Sequence, residues 1–283
     1  MAFYTQLDTG ADGDPILRPE DVHDLLIRPM TGASVAAQVC SVIQTGSTSM
    51  RLPYVSADPS AEWVEEGDEI TPTDPTLGEL DVVPTKIGGL TIISNELALD
   101  SDPAANTMVG QGLARDIARR VDEAFFSTVS SPAPEGLDQL SGVTAVDAGG
   151  DWENLDWAAE AINNAEDENT VITAFVTSPA DALLLAQLKD ETDSNRHLLQ
   201  PDPTRPTRRM VAGVPLWVSR YVTEGTVWGI PQDRTHVVIR TDATIAVSTD
   251  AYFSSDRVGV RGTMRVAFGF PHAAAIQEVT LSG

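Results

Sequence analysis

The sequence predicts an α+β fold, and three observations predict it. From Asp256 to Phe270 the residues alternate without a slip. Val258, Val260, Gly262, Met264, Val266, Phe268 and Phe270 fall on one face, and Arg257, Gly259, Arg261, Thr263, Arg265, Ala267 and Gly269 on the other. A period of two is a strand, here about fifteen residues against the usual five or six. Val109, Leu113, Ile117, Val121 and Phe125 recur every four residues with alanines beside them, which marks the buried face of a long helix. Between residues 150 and 250, short helical patterns alternate with apolar strand-like runs, so this region reads as a mixed unit of its own.

Taken in order, residues 1–18 are polar and acidic and read as an extended arm. Pro19–Ile27 has proline in its first turn and Val22, Leu25 and Leu26 on one side, which suits a short helix. Residues 42–56 look like a strand. Residues 57–79 then hold five prolines or glycines and eight acids, with little to build a core. A loop of that length usually has a function. Leu80–Ser94 returns as strand, with Gly88-Gly89 marking a bulge or bend, so that strand, acidic loop and strand form a projecting hairpin. Asp102-Pro103 caps the long helix, which extends to about Val129, and Asp116–Arg120 and Arg119–Glu123 are spaced to pair along it. A Gly/Ser/Pro-rich boundary follows. Leu155, Ala158, Ala159 and Ile162 predict a helix capped near Asp151. Val171–Thr177 predicts a buried strand, and Ser178-Pro179-Ala180-Asp181 the start of a helix filled by Leu184, Leu185 and Leu188. Val214–Val218, Thr226–Trp228 and Val237–Val247 are strands. The strand from 256 must rejoin the earlier part.

The chain has 283 residues, 42 acidic against 18 basic, and a formal net charge of -24. Such a surface repels nucleic acid and anionic membranes, so binding DNA through a broad basic face is excluded. Sixteen of the cations are arginine, and aspartate outnumbers glutamate 26 to 16. Either a GC-rich genome or adaptation to molar salt, where charge repulsion is screened, gives this bias. Cys40 is the only cysteine, so no intrachain disulfide forms. No signal peptide and no membrane-spanning apolar run is visible.

Catalytic constellations are missing from the sequence. There is no phosphate loop, no dinucleotide fingerprint, no His-Glu-x-x-His and no Gly-x-Ser-x-Gly, and four dispersed histidines with one cysteine do not make a zinc site. Asp8, Asp12 and Asp14 lack the spacing and closing glutamate of a calcium loop. Arg205, Arg208 and Arg209 read as neutralising local acid. No catalytic residue, cofactor or metal is therefore expected.

Ala61-Glu62-Trp63-Val64-Glu65-Glu66-Gly67, followed by Thr85-Lys86-Ile87-Gly88-Gly89-Leu90-Thr91-Ile92-Ile93-Ser94-Asn95-Glu96-Leu97, resembles the extended loop and following strand of tailed-virus major capsid proteins. Gly213-Val214-Pro215-Leu216-Trp217-Val218-Ser219 is similar to a Gly-x-Pro-hydrophobic-x-x-Ser stretch of that family, and the arginine-bearing strand followed by Phe270-Pro271-His272-Ala273 to its C-terminal end. The order of elements matches along nearly the whole chain, and the composition resembles that of haloarchaeal viruses. The resemblance implies the Hong Kong-type capsid fold, divided into an N-terminal arm (1–42), an extended-loop hairpin (43–94), a peripheral domain (95–145 and 255–272) and an axial domain (146–254 and 273–283). It further implies a virion protein, assembled in the host cytoplasm, whose hexamers and pentamers tile an icosahedral head. That head encloses double-stranded DNA held without sequence specificity. Portal, scaffold and cement proteins are the further partners, and no membrane is. Covalent crosslinking is not expected, because no lysine lies between residues 56 and 78, and a separate scaffold protein is expected from the short arm. An encapsulin-type compartment shares the fold, and a soluble halophilic hydrolase is the reading from another class.

The expected contact joins Glu62, Trp63, Glu65, Glu66, Asp68 and Glu69 of one copy to Arg257, Arg261 and Arg265 of its neighbour. The alternatives are a solvated acidic loop and arginines paired within their own subunit.

Overall fold

The computed structural model describes residues 28–57, 59–65, 67, 69, 71–94, 104–191, 194–201 and 209–282. The arm over 1–18, the helix over 19–27 and the Asp102-Pro103 cap lie outside them. Residues 28–40, counted with the arm in the sequence reading, form two short helices, α1 (Arg28–Ala33) and α2 (Val35–Val39). Their Met30, Ala36 and Val39, with Cys40, enter the main core.

The long helix is α3, Ala104–Phe126. Leu113, Ile117, Val121 and Phe125 are buried along the predicted stripe, with Ala114, Ala118 and Ala124 beside them. Arg120 pairs with Glu123 at 2.8 Å, rather than with the expected Asp116. The stripe packs on a four-stranded sheet of β1 (Ser41–Thr45), β4 (Thr85–Ser94), β11 (His236–Tyr252) and β12 (Arg257–Gly269), ordered β1-β11-β12-β4. Val258, Val260, Met264 and Val266 face inward, as the alternation requires. Gly89 and Gly262 stand opposite each other in an unbroken β4–β12 ladder. A Cβ on either would strike the methyls of Leu113. Gly89 therefore marks neither the expected bulge nor a bend. The glycine pair is a hole that receives a side chain of the helix and fixes its position on the sheet.

β11 was expected in the 146–254 unit, but it pairs along β12 from His236 to Tyr252. The turn between them, residues 253–256, is so short that the two strands pair as a hairpin. The unit from 144 onward is a seven-stranded sheet, β5-β13-β10-β6-β9-β8-β7, made of β5 (Thr144–Asp147), β6 (Ala174–Thr177), β7 (Gln200–Pro201), β8 (Arg209–Val211), β9 (Val214–Val218), β10 (Thr226–Ile230) and β13 (Gln277–Thr280). It carries α4 (Asp156–Asp167) and α5 (Pro179–Gln187). The buried face of α4 is Trp157, Ala158, Ala161 and Ala165, one position off the predicted one, because Leu155 precedes the helix. Ser178 caps α5 as predicted, its hydroxyl accepting from the Asp181 N–H. Leu185 is buried there and Leu184 is exposed.

Buried carboxylates tie these parts together. Asp122 of α3 accepts from the Ser34 hydroxyl at 2.6 Å and from the Val35 and Ala36 N–H groups at 3.0 Å. It serves as a distant N-cap for α2. Burial pushes its carboxyl above the ordinary aspartate range, and the three donors pull in the opposite direction. Asp181 likewise accepts from the indole of Trp152, the Ser178 hydroxyl and the Gly225 N–H. Asp122→Ala would leave three donors without acceptors, two of them buried and one half-buried, a cost of about 3 kcal/mol from roughly 1–3 per group with partial re-solvation. Urea unfolding of the unassembled subunit measures it; an unchanged midpoint would refute this role.

Candidate functional site

The two remaining strands, β2 (Met50–Ala57) and β3 (Thr76–Val82), pair antiparallel and form the stem of the hairpin. The expected single strand over 42–56 is thus split between β1 and β2, and the returning strand breaks at Val83-Pro84, where β3 leaves the hairpin and β4 enters the large sheet. Leu52 and Val82 anchor the stem against Val238 and Ala267. A Cβ at Gly269 would collide with Leu52 and Val82, so the close seating depends on that glycine. Arg51 spans the stem to Glu79 at 3.4 Å and Asp81 at 3.1 Å. Each of these exposed pairs contributes ~0–1 kcal/mol.

Further out, side chains leave the body of the subunit. Val55 and Leu77 are more than half exposed, and Trp63 is fully exposed. Glu62, Glu65 and Glu69 are exposed and form no ion pair with a described residue, while Glu66 and Asp68 lie outside the described residues. The one arginine of the stem is already engaged by Glu79 and Asp81, so it does not neutralise the tip.

The arginine row lies on the sheet face turned away from α3. Arg257 and Arg261 are exposed and Arg265 is half-buried. The register adds two cations that sequence reasoning missed: Arg265 stands opposite Arg240 of β11 on one side and Lys86 of β4 on the other. Like charges directly opposite in a sheet disfavour it. Among the described residues Lys86, Arg257 and Arg261 form no ion pair. Strand parity could have put Lys86 on a face with Leu90 and Ile92, but not beside Arg265, because register depends on the partner strand. Among the described residues, Glu62, Glu65 and Glu69 of the tip form no ion pair with Lys86, Arg257 or Arg261 of the row, and all six side chains are exposed.

Among the described residues no group of three or more His, Cys, Asp or Glu side chains could hold a metal ion, and no helix is long and apolar enough to cross a membrane. Burial pushes the Cys40 thiol up to about 12, against the lowering effect of its hydrogen bond with Thr235. It is therefore no nucleophile at neutral pH.

Comparison with known proteins fits this geometry. The family model described as "Phage capsid family" matches residues 16–281. A protein described as "Probable major capsid protein gp17", from Mycobacterium phage L5, is 29% identical over 153 residues, which is 52% of this chain and 46% of that protein. The match thus spans less than half the length of that relative. Among solved structures, a chain of Microbacterium phage Oxtober96 superposes with a TM-score of 0.70 at 19% identity, covering 88% of this chain and 91% of the other. A chain of Mycobacterium phage Adephagia gives 0.69 at 16% identity, covering 89% and 91%. One from the "Capsid of empty GTA particle computed with C5 symmetry" gives 0.71 at 19% identity, covering 89% and 90%. At these identities the likeness establishes the fold, which is the Hong Kong-type capsid fold expected from the sequence.

Proposed function

Since this chain belongs to the phage capsid family, we propose that it is the major shell subunit of a tailed virus, building hexamers and pentamers that close an icosahedral head around double-stranded DNA. The observation that carries the reading is a pair of exposed, oppositely charged surfaces on one chain: Glu62, Glu65 and Glu69 on the hairpin tip, and Lys86, Arg257 and Arg261 on the sheet face, with no ion pair between them among the described residues. Two different patches make a head-to-tail contact, and a head-to-tail contact closes into rings when its rotation allows. Glu62, Glu65, Glu66, Asp68 and Glu69 of one copy then lie along Arg257, Arg261 and Arg265 of the next. A single exposed pair contributes ~0–1 kcal/mol, but the contact repeats around every ring, so its effect multiplies.

In this reading the peripheral unit contains α3 and the four-stranded sheet, including β11, and the axial unit contains the seven-stranded sheet. The DNA is held without sequence specificity, and a net charge of -24 offers no broad basic face to grip it. Portal, scaffold and cement proteins complete the head, and assembly takes place in the host cytoplasm. The family match and the structural neighbours favour this over an encapsulin-type compartment or a halophilic hydrolase. Negative-stain images of the purified protein test it: closed shells with pentameric and hexameric units are expected. Monomers that turn over a substrate would overturn it, and shells that enclose cargo enzymes instead of DNA when taken from infected cells would favour the compartment.

A further inference from the structure

We propose that Trp63 is the anchor of the contact between copies, and that it seats on an apolar pad formed by Tyr252, Leu90 and Ile92 of the neighbouring subunit. The proposal rests on the shell-subunit reading and names the residues that join its two surfaces. The pad lies in the arginine row itself. Between Arg257 and Arg261 the outward-facing position is Gly259, opposite Ile92 in β4, while Arg261 is opposite Leu90. A Cβ at Gly259 would stand 3.2 Å from the ring of Tyr252 and 3.9 Å from a methyl of Leu90. Those two side chains therefore close over the glycine, and Gly259 itself is buried. Leu90 is 58% and Ile92 42% exposed. The result is an apolar patch flanked by a cation at each end.

The loop carries the complementary pattern. Trp63, at 105% relative exposure, contacts nothing in its own chain that covers it, and it lies between Glu62 and Glu65. Those two acids are at most about 10 Å apart in an extended chain. Arg257 and Arg261, four positions apart in a strand, are about 13 Å apart. The difference is well within the reach of an arginine side chain. Acid–indole–acid thus matches cation–pad–cation, and the indole can also stack on either guanidinium. A fully exposed tryptophan that finds an apolar pocket on a partner is the usual form of an interface hot spot. This arrangement gives the contact a salt-insensitive centre, which arginine–glutamate pairs alone lack.

The test uses the full chain, whose one native cysteine is buried. Trp63→Cys and Ile92→Cys chains are made separately, mixed at a subunit concentration about a hundredfold above the assembly threshold of the unmodified chain, because the cysteine replaces the anchoring indole, and mildly oxidised. Disulfide-linked dimers of the two variants are expected in the shells. Shells without linked dimers would overturn the Trp63 anchor and leave the shell-subunit reading standing. Failure of the unmodified chain to form shells at all would overturn both. In parallel, Trp63→Ala should raise the subunit concentration needed for shells about thirtyfold or more, and Trp63→Phe should recover part of that loss. An unchanged assembly threshold for Trp63→Ala would also overturn the anchor.

Discussion

Arg257→Glu, Arg261→Glu and Arg265→Glu combined in one chain should give a folded subunit that forms no shells. The fold survives because the inward face of β12 is untouched: Val258, Val260, Met264 and Val266 keep their places in the sheet and its core. On the outward face the carboxylate introduced at position 265 would stand in register between Arg240 and Lys86. Assembly fails for the opposite reason. The acidic tip of the neighbour, already carrying Glu62, Glu65 and Glu69, would meet three more carboxylates. Each lost pair of ~0–1 kcal/mol is replaced by a repulsion of similar size, and the change is repeated at every contact of the shell. Size-exclusion chromatography, circular dichroism and negative-stain imaging read the two halves of the prediction separately. Normal shells would remove the cationic row from the interface. A chain that no longer folds would show that the arginines serve their own subunit. Adding Glu62→Arg, Glu65→Arg and Glu69→Arg to the reversed chain should restore shells, because the same pairs re-form with signs exchanged.

How legible these surfaces were in the sequence follows from how side chains report their environment. β12 was readable because its two faces differ in chemistry, one apolar and one bearing arginine. The acidic tip was readable from composition alone, since eight acids among residues 57–79 cannot build a core. The sheet that receives β11 was not readable, because Val237, Val238 and Ile239 are all buried and no alternation betrays which face meets α3. The signal that would have placed it is the four-residue gap to β12, which permits a hairpin and little else. The roles of Gly89 and Gly262 were hidden for a related reason. A glycine in a strand signals a bulge or a close approach, and only the position of Leu113 on α3 decides between them. Lys86 and Arg240 join the arginine row through register, a property of two strands that neither strand encodes alone.

Shells of this protein should be stable in molar salt and come apart, or swell, on dialysis to about 0.01 M. Two neighbouring subunits each carry a net charge of -24. A chain of this length has a radius of gyration of about 19 Å, which puts neighbouring centres about 48 Å apart. Treated as smeared charges in water, the pair repels by about 50 kcal/mol before screening. The Debye length of about 10 Å at 0.1 M reduces that to about 0.4 kcal/mol, whereas about 30 Å at 0.01 M leaves about 10 kcal/mol. Against this, three arginine pairs offer at most about 3 kcal/mol per contact and the Trp63 anchor about 2 kcal/mol more, and although low salt strengthens the pairs, together they cannot match a repulsion that grows more than about twentyfold. The balance must therefore cross between about 0.1 and 0.01 M. Light scattering during stepwise dialysis locates the crossing, and return of salt should reverse it if the subunits remain folded. Intact shells of unchanged radius at about 0.01 M would mean that bound cations or a larger apolar interface offset the carboxylates. The acid-rich composition would then carry no dependence on a saline setting.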